Sequence, residues 1–234
     1  MTRSLTVPAV LTALALLPTM ASAKVIEVGE TPTQAVPACP AAPCLAVSRT
    51  TGYQAKVGTN RGLMTIPRNG RIVAWTIGLS KPNAAQVKFF TQELGGPAQA
   101  GITVLRPGKH LADGTVVKAT GPLVSLKPYF GSFAQFPLAV PLNVRKGDVV
   151  GLTVPTWAPA LQVGLGGDTS WRASRKKNKC KDNKTQTAQL NVGDKAVYYC
   201  LYRTARLVYS ATLIPYPKKT NVPAKSTKST RNSR

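Results

Sequence analysis

Acidic side chains and histidine are scarce in this sequence, and their scarcity narrows the chemistry open to it. The chain has 8 Asp and Glu against 31 Lys and Arg, and a single histidine, His110. A glycosidase needs two carboxylates in distinct environments, and a Ser–His–Asp relay would have to use this one histidine. The sequence also lacks a G-x-S-x-G elbow, a phosphate-binding loop and a D-x-D-x-D-G calcium loop. An enzyme is therefore the less favoured class, and no cofactor is expected.

Long apolar runs are missing beyond the N-terminal segment, so we expect no transmembrane span in the mature chain. Residues 1–23 have the features of a secretory signal peptide: Arg3 precedes the apolar stretch Leu5–Leu17, and Ala21-Ser22-Ala23 is a cleavage signal. An uncleaved N-terminal anchor is the alternative. The sequence therefore predicts a secreted, extracytoplasmic protein whose mature chain begins at Lys24.

The chain has only four cysteines, and none of them is in a C-x-x-C pair. An even number of cysteines in an exported chain indicates disulfides, and four cysteines allow three connectivities. We favour Cys39–Cys44, which would close a small loop, and Cys180–Cys200, which would tie a basic loop to a later strand. A zinc site formed from these thiols and His110 is the alternative, but the usual ligand spacing is missing. No metal site is expected.

No segment shows a sustained helical period, and short apolar segments alternate with Gly, Pro and Asn breaks. Phe136–Val144 and Val149–Val154 flank a polar break and are predicted to form a β-hairpin, although Pro137 and Pro141 suit an edge strand. Arg71–Ser80 alternates between larger and smaller side chains, which predicts a strand with one heavy face, that is, one face of large apolar residues. Val87–Leu94 is predicted to be another strand.

These segments predict an all-β fold, a single antiparallel β-sandwich of jelly-roll type. The expected divisions are a signal peptide at 1–23, a Pro/Ala-rich leader with a small disulfide loop at 24–61, the sandwich domain at 62–216, and a disordered basic tail at 217–234.

Two stretches of the sequence resemble the core strands of a known group of proteins. The first contains Ile66-Pro67, Gly70, Ile72 and Trp75, and the second, further downstream, contains Val144 and Gly147–Leu152. The group consists of secreted β-sandwich proteins of uncharacterised function in high-GC Gram-positive bacteria, similar in outline to jelly-roll carbohydrate-binding modules. The resemblance covers about residues 62–215 and implies an extracytoplasmic sandwich. It implies no catalytic residues.

Positive charge is concentrated in Trp171–Lys184, where seven basic residues face only Asp182, and in the tail, where six basic residues face no acid. Such single-signed runs favour attraction to a polyanion, although a solvated surface is the alternative. Aromatic rings in loops can stack on sugars, or they can seal the ends of the sandwich. The candidate binding residues are Tyr129, Trp157, Trp171, Arg172, Arg175, Lys176, Lys177 and Lys179.

The sequence thus favours a non-enzymatic secreted module that binds anionic cell-envelope or extracellular polysaccharide. The tail has no base-reading motif, so specific nucleic-acid binding is not expected. Two alternatives remain open at this stage. One is a secreted hydrolase with a site near His110 and Asp113, and the other is a structural or assembly module whose strand edges pair with another chain. The sequence leaves the oligomeric state undetermined.

Overall fold

A computed structural model describes residues 24–31, 34–39 and 44–217. The predicted signal peptide and the tail from Lys218 onward lie outside the described residues.

The described residues form mostly β-structure. The strands are β1 Ile26–Val28, β2 Val47–Lys56, β3 Gly70–Gly78, β4 Gln99–Pro107, β5 Thr115–Thr120, β6 Val124–Ser125, β7 Phe133–Val144, β8 Val149–Ala158, β9 Leu161–Val163, β10 Ser170–Ala173, β11 Lys195–Ala196, β12 Cys200–Arg203, β13 Ala205–Leu207 and β14 Tyr209–Pro215. One α-helix, α1, spans Ala84–Glu93, and short 3-10 helices span Leu111–Asp113 and Lys127–Tyr129.

The strands pair antiparallel in three sheets. A four-stranded sheet has the order β1-β14-β3-β7. A larger sheet has the order β11-β5-β4-β8-β2-β10-β12, with β6 added beside β4. β9 and β13 form a separate pair. The all-β class expected from the sequence is confirmed.

One hydrophobic cluster takes side chains from both larger sheets. Trp75 and Ile77 of β3 are fully buried, as are Ile102 of β4 and Val150 of β8. The alternation of Arg71–Ser80 correctly predicted a strand, and Trp75, Ile77 and Leu79 of its heavy face are buried, but a bulge between Ile72 and Ala74 leaves Val73 partly exposed and buries Ile72 instead. Burial of this shared apolar surface is the main stabilising contribution.

The predicted hairpin between Phe136–Val144 and Val149–Val154 is wrong, because these segments belong to different sheets. β7 pairs with β3, whereas β8 pairs with β2 and β4 on its two sides. The connection between them is held by buried Asp148, whose carboxylate accepts hydrogen bonds from the Arg106 guanidinium at 2.7 and 3.0 Å and from the Arg145 N–H at 2.8 Å. Both neighbours of β8 are therefore supplied from elsewhere in the chain.

The prolines of β7 lie in an edge strand, which is a position that the sequence predicts for them. β7 lies at the edge of the four-stranded sheet among the described strands, and Pro137 and Pro141 lie within it. Proline cannot donate a ladder hydrogen bond, so an edge is where a strand tolerates it.

The predicted strand Val87–Leu94 is wrong as well, because this segment is most of α1. Asn83 caps the helix: its side chain accepts the Gln86 N–H at 2.9 Å, and the Gln86 side chain accepts the Asn83 N–H at 2.8 Å. This reciprocal capping box satisfies two N–H groups that a helix start leaves unpaired. Phe90 of α1 then packs on Trp157, with ring centroids 5.0 Å apart.

The leader expected at 24–61 contributes two strands to the sheets. β1 lies at Ile26–Val28, at one edge of the four-stranded sheet. β2 lies inside the large sheet between β8 and β10.

Candidate functional site

The long loop between β10 and β11, residues 174–194, carries most of the basic run. It has little regular structure, so its shape depends on covalent and side-chain contacts. The disulfide Cys180–Cys200 ties the loop to β12, and the Cys39–Cys44 disulfide closes a small loop near the N-terminus. Both pairings were expected from the sequence, and both are confirmed.

Arg175 is the side chain that fixes the start of the long loop. It is buried, and its guanidinium donates to the Cys180 carbonyl at 2.9 Å, to the Tyr202 hydroxyl at 2.7 Å and to the Ser48 carbonyl at 2.8 Å. Its guanidinium carbon also lies 5.6 Å from the centre of the Tyr202 ring. Buried charges are stable only when hydrogen-bonded in this way. Arg175 therefore has a structural role.

Trp171 lies beneath the long loop. Its ring stacks on that of Tyr202, with centroids 4.4 Å apart and an interplanar angle of 19°. Because the Trp171 side chain is almost fully buried, it offers no open face to a ligand. Arg172, its neighbour, is half-buried and donates to the Tyr198 carbonyl at 2.9 Å.

Asp182 and Gln186 shape the far side of the long loop. The Asp182 carboxylate accepts the hydroxyl and the N–H of Thr185 and the N–H of Lys184. These hydrogen bonds, that of the Thr185 hydroxyl foremost, hold the pKa of Asp182 well below its usual range. The Gln186 side chain accepts the Lys176 N–H at 3.2 Å. The backbone carbonyl of Gln186 accepts the Arg49 Nε–H at 3.0 Å.

Between the long loop and β11 lies a groove of about 730 Å³ that we call the basic groove. Its charged lining consists of Lys176, Lys177, Lys179, Lys195 and Asp194. The Asp194 carboxylate is already engaged, because one of its oxygens accepts the N–H groups of Leu190 and Asn191 at 2.9 Å each. The ammonium group of Lys177 lies 5.8 Å from the centre of the Tyr199 ring, which also lines the groove. The groove is thus strongly electropositive.

Gln189 adds an unused donor to the basic groove. Its side chain is 6% exposed, and its amide oxygen accepts the Tyr198 hydroxyl at 2.5 Å. Its amide nitrogen is buried and has no hydrogen-bond partner among the described residues. Buried donors are normally satisfied, and the cost of an unsatisfied one is of order 1–3 kcal/mol.

The positive surface continues across the edge of the large sheet. Arg106 of β4 and Lys195 of β11 both lie opposite Val116 of β5, so the three share one face of the sheet. Lys118 lies two residues further along β5 and is exposed on the same face. Beyond them is a second groove of about 410 Å³, which Arg106, Lys118 and Arg145 line. We call Lys195, Lys118 and Arg106 the cationic row.

The structure separates the predicted binding residues into two sets. Lys176, Lys177 and Lys179 meet in the basic groove, with Arg172, Arg175 and Trp171 supporting it from below. Trp157 is fully buried and donates its ring N–H to the Gly96 carbonyl at 3.0 Å, so it is a core residue. Tyr129 is partly exposed, but its ring packs edge-on against Phe136 with centroids 5.0 Å apart. Neither of these two rings contributes to the basic groove.

Three residues of the basic groove were not found from the sequence: Gln189, Lys195 and Tyr199. Lys195 and Tyr199 follow the basic run by more than ten residues, and only the antiparallel pairing of β11 with β5 brings Lys195 to the groove. A glutamine in a polar loop carries no sequence signal for burial.

His110 and Asp113 lie on the surface, in and beside the first 3-10 helix. The Asp113 carboxylate accepts the backbone N–H of His110 at 2.8 Å, which is a local turn contact. Neither residue lines the basic groove or the second groove. The geometry gives no support to a catalytic dyad here.

Within the part of the chain that the structure describes, no group of three or more His, Cys, Asp or Glu residues is arranged to hold a metal ion. No helix in that part is long and apolar enough to span a membrane. No protein-family model, curated protein or solved structure matches the chain.

Proposed function

We propose that this protein is a non-enzymatic module that binds an anionic polymer, such as a cell-envelope or extracellular polysaccharide, in the basic groove. The observation that carries the proposal is the convergence of four lysines on one groove that Gln189 also lines. Lysines on a solvated surface would be expected to spread apart, because like charges repel. Here the disulfide Cys180–Cys200 and Arg175 hold the backbone that places them together.

The ligand is a polymer because the positive surface extends beyond one groove. Strands in a sheet are about 4.8 Å apart, so the two strand spacings from Lys195 to Arg106 add about 10 Å to the length of the basic groove. The carboxylate of Asp148 offsets the charge of Arg106, and its hydrogen bond raises the pKa of Arg106. Lys118 and Arg145 therefore provide the net positive charge at the far end.

The same proposal includes secretion of the protein and a jelly-roll arrangement of its β-sandwich. Two disulfides are consistent with an extracytoplasmic location, because such bonds persist in oxidising compartments. The single hydrophobic cluster shared by the two larger sheets supports face-to-face packing of a sandwich.

The proposal is tested by retention on immobilised heparin, a sulfated polysaccharide, as the salt concentration rises. We expect the triple variant Lys176→Gln, Lys177→Gln and Lys179→Gln to elute at clearly lower salt than the parent protein. The matched control replaces Lys81, Lys88 and Lys109, which are exposed and lie outside both grooves, with glutamine. The two variants have the same net charge. Equal elution of both would show that total charge alone governs retention, which would overturn the proposed groove.

Gln189→Ala tests whether the uncharged amide of Gln189 contributes to binding in the basic groove. Loss of a hydrogen bond to a charged group is expected to weaken binding of a heparin hexasaccharide about tenfold, as measured by calorimetry. Unchanged affinity would show that the amide nitrogen takes no part. The hydrolase near His110 and Asp113 stays a prediction with no geometric support in the described residues.

A further inference from the structure

A third groove, of about 520 Å³, lies on the outer face of the four-stranded sheet, and we call it the sheet-face groove. Ser210 of β14, Thr76 of β3 and Gln135 of β7 lie side by side in the strand register and form its polar floor. Glu27 of β1 continues this floor at the opposite edge of the sheet. Hydroxyl, amide and carboxylate groups are therefore presented together on a rigid surface.

One aromatic ring borders the polar floor. Phe133 is 46% exposed and lies opposite Gly78 in the register of β7 and β3. A Cβ atom on Gly78 would come within 2.7 Å of the Phe133 ring and 2.5 Å of the Val208 side chain. Only glycine therefore lets the ring lie against the backbone of β3. An exposed aromatic ring beside polar groups suits the apolar face of a sugar ring.

The wall of the sheet-face groove is held by Arg206. Its guanidinium donates to the Thr31 hydroxyl at 2.7 Å and to the Gly29 carbonyl at 3.2 Å, which fastens the chain after β1 to the sheet. Arg206 is 8% exposed, and its Nε–H has no hydrogen-bond acceptor among the described residues.

The charge of this groove is opposite to that of the protein as a whole. Five acidic residues elsewhere are engaged by a cation or by backbone N–H groups, namely Glu93, Asp113, Asp148, Asp182 and Asp194. Glu27 and Glu30 both line the sheet-face groove. Glu27 is approached only by the Ser210 hydroxyl, at 3.5 Å, and Glu30 has no ion pair or hydrogen bond among the described residues. Two scarce carboxylates are thus left available at one place.

We propose that the sheet-face groove binds a sugar ring that carries a protonated amine. Glu27 and Glu30 receive the ammonium group, while Thr76, Ser210 and Gln135 exchange hydrogen bonds with ring hydroxyls. Phe133 covers the apolar face of the ring, and Arg206 holds the wall of the groove beside it. This site is independent of the basic groove, which lacks an available carboxylate and selects the opposite charge.

The probes are two hexasaccharides that differ in the group on each sugar nitrogen: β-1,4-linked glucosamine with free amines, and its N-acetylated form, in which each amine has lost its charge and gained an acetyl group. Calorimetry at about pH 6 keeps an amine of ordinary pKa protonated. We expect the free-amine hexamer to bind at least about tenfold more tightly than the acetylated one. No binding of the free-amine hexamer, or equal affinity for both hexamers, would overturn the proposal.

Substitutions then locate the binding site. Glu27→Gln is expected to weaken binding of the free-amine hexamer about tenfold, and Phe133→Ala by a similar factor. Glu93→Gln makes the same change of charge outside the groove, and Val140→Ala removes an exposed apolar side chain from the same strand as Phe133. Both controls should bind as the parent does. Equal losses in variant and control would overturn the assignment to this groove, and thermal melting of each variant excludes unfolding as the cause.

Arg206→Lys keeps the positive charge and removes the guanidinium that fastens Thr31 and Gly29 in the wall of the groove. We expect it to weaken binding of the free-amine hexamer, while retention on heparin stays at the parent's level. Loss of both activities together would indicate a general structural defect and would count against a separate site. The triple lysine variant of the basic groove should show the reverse pattern, so failure of one proposal leaves the other testable.

Discussion

The basic groove and the sheet-face groove are built in different ways. The basic groove is formed by a loop with little regular structure, fixed by one disulfide and by the guanidinium of Arg175. The sheet-face groove is formed by strands whose register places Ser210, Thr76 and Gln135 in a row. The first groove carries nearly unopposed positive charge, and the second contains two available carboxylates.

This difference indicates which changes each groove should tolerate. A loop site depends on a few strong local contacts, so the loss of one of them should deform it. A site on a sheet is held by many ladder hydrogen bonds, and its backbone should survive single side-chain changes. The predictions below test this contrast, from the largest expected effect to the smallest.

Arg175→Met should have the largest effect. It removes three hydrogen bonds near the long loop, to the Cys180 carbonyl, the Ser48 carbonyl and the Tyr202 hydroxyl, and leaves the Cys180 carbonyl with the Tyr202 hydroxyl as donor. We expect the free energy of unfolding to fall by about 4 kcal/mol. Arg172→Met removes one hydrogen bond, to the Tyr198 carbonyl, and should cost about 1 kcal/mol in denaturant titrations. Equal losses for the two variants would contradict the structural role of Arg175.

Replacement of both Cys180 and Cys200 by serine should lower the free energy of unfolding by about 3 kcal/mol, because the closed segment spans 20 residues. The same change at Cys39 and Cys44, which close a segment of 5 residues, should cost about 2 kcal/mol. Heparin retention should fall in the first variant alone, and the glucosamine hexamer should bind to both. A loss of retention in the second variant would show that the basic groove depends on more than its own loop.

The sequence predicted local features better than long-range ones. The disulfides followed from the even number and the positions of four cysteines, and the strand around Trp75 followed from its alternation. The β7–β8 hairpin failed because the sheet to which each strand belongs depends on distant partners, β3 for one strand and β2 and β4 for the other. The residues of β7 and β8 alone do not specify which strands they pair with.

The helix could have been found from the sequence. Asn83 and Gln86 have the spacing of a capping box, but Val87, Phe89 and Phe90 looked like part of a strand. For the site, the lysine run was visible, whereas the burial of Trp171 depends on Tyr202, 31 residues later. The sheet-face groove left no sequence signal, because its floor comes from strands far apart in the chain.

Buried tyrosines provide a test of whether the two regions unfold together. Burial raises the pKa of Tyr198, beneath the basic groove, and of Tyr209, beside the sheet-face groove, well above the ordinary value of 10.0. The folded state therefore favours the neutral form, and the resulting stability is complete below the unfolded pKa and is lost as pH rises above it. Each tyrosine should lower the free energy of unfolding by about 1.4 kcal/mol per pH unit in that range.

Tyr198→Phe and Tyr209→Phe should each reduce this alkaline slope by the same amount if the two grooves belong to one cooperative unit. The measurement is a series of urea titrations between about pH 9 and 11. A reduced slope in only one variant would show that one region opens separately before global unfolding. That result would show that the loop site and the sheet site differ in local stability, a difference that stability measurements at neutral pH do not reveal.

Lys184→Gln should have the smallest effect. Lys184 forms an ion pair with Glu93 of α1; the Lys184 side chain is largely exposed to solvent and that of Glu93 is partly exposed. Exposed pairs contribute about 0–1 kcal/mol, because water screens them and both side chains lose rotamer freedom. We expect a change below about 0.5 kcal/mol in thermal melts, with no effect on the sheet-face groove. A larger loss would mean that α1 holds the long loop in place, and then Glu93→Gln would alter the basic groove as well. Since Asp182 and Arg175 already fix that loop by hydrogen bonds to the backbone, the exposed pair is not needed to shape it.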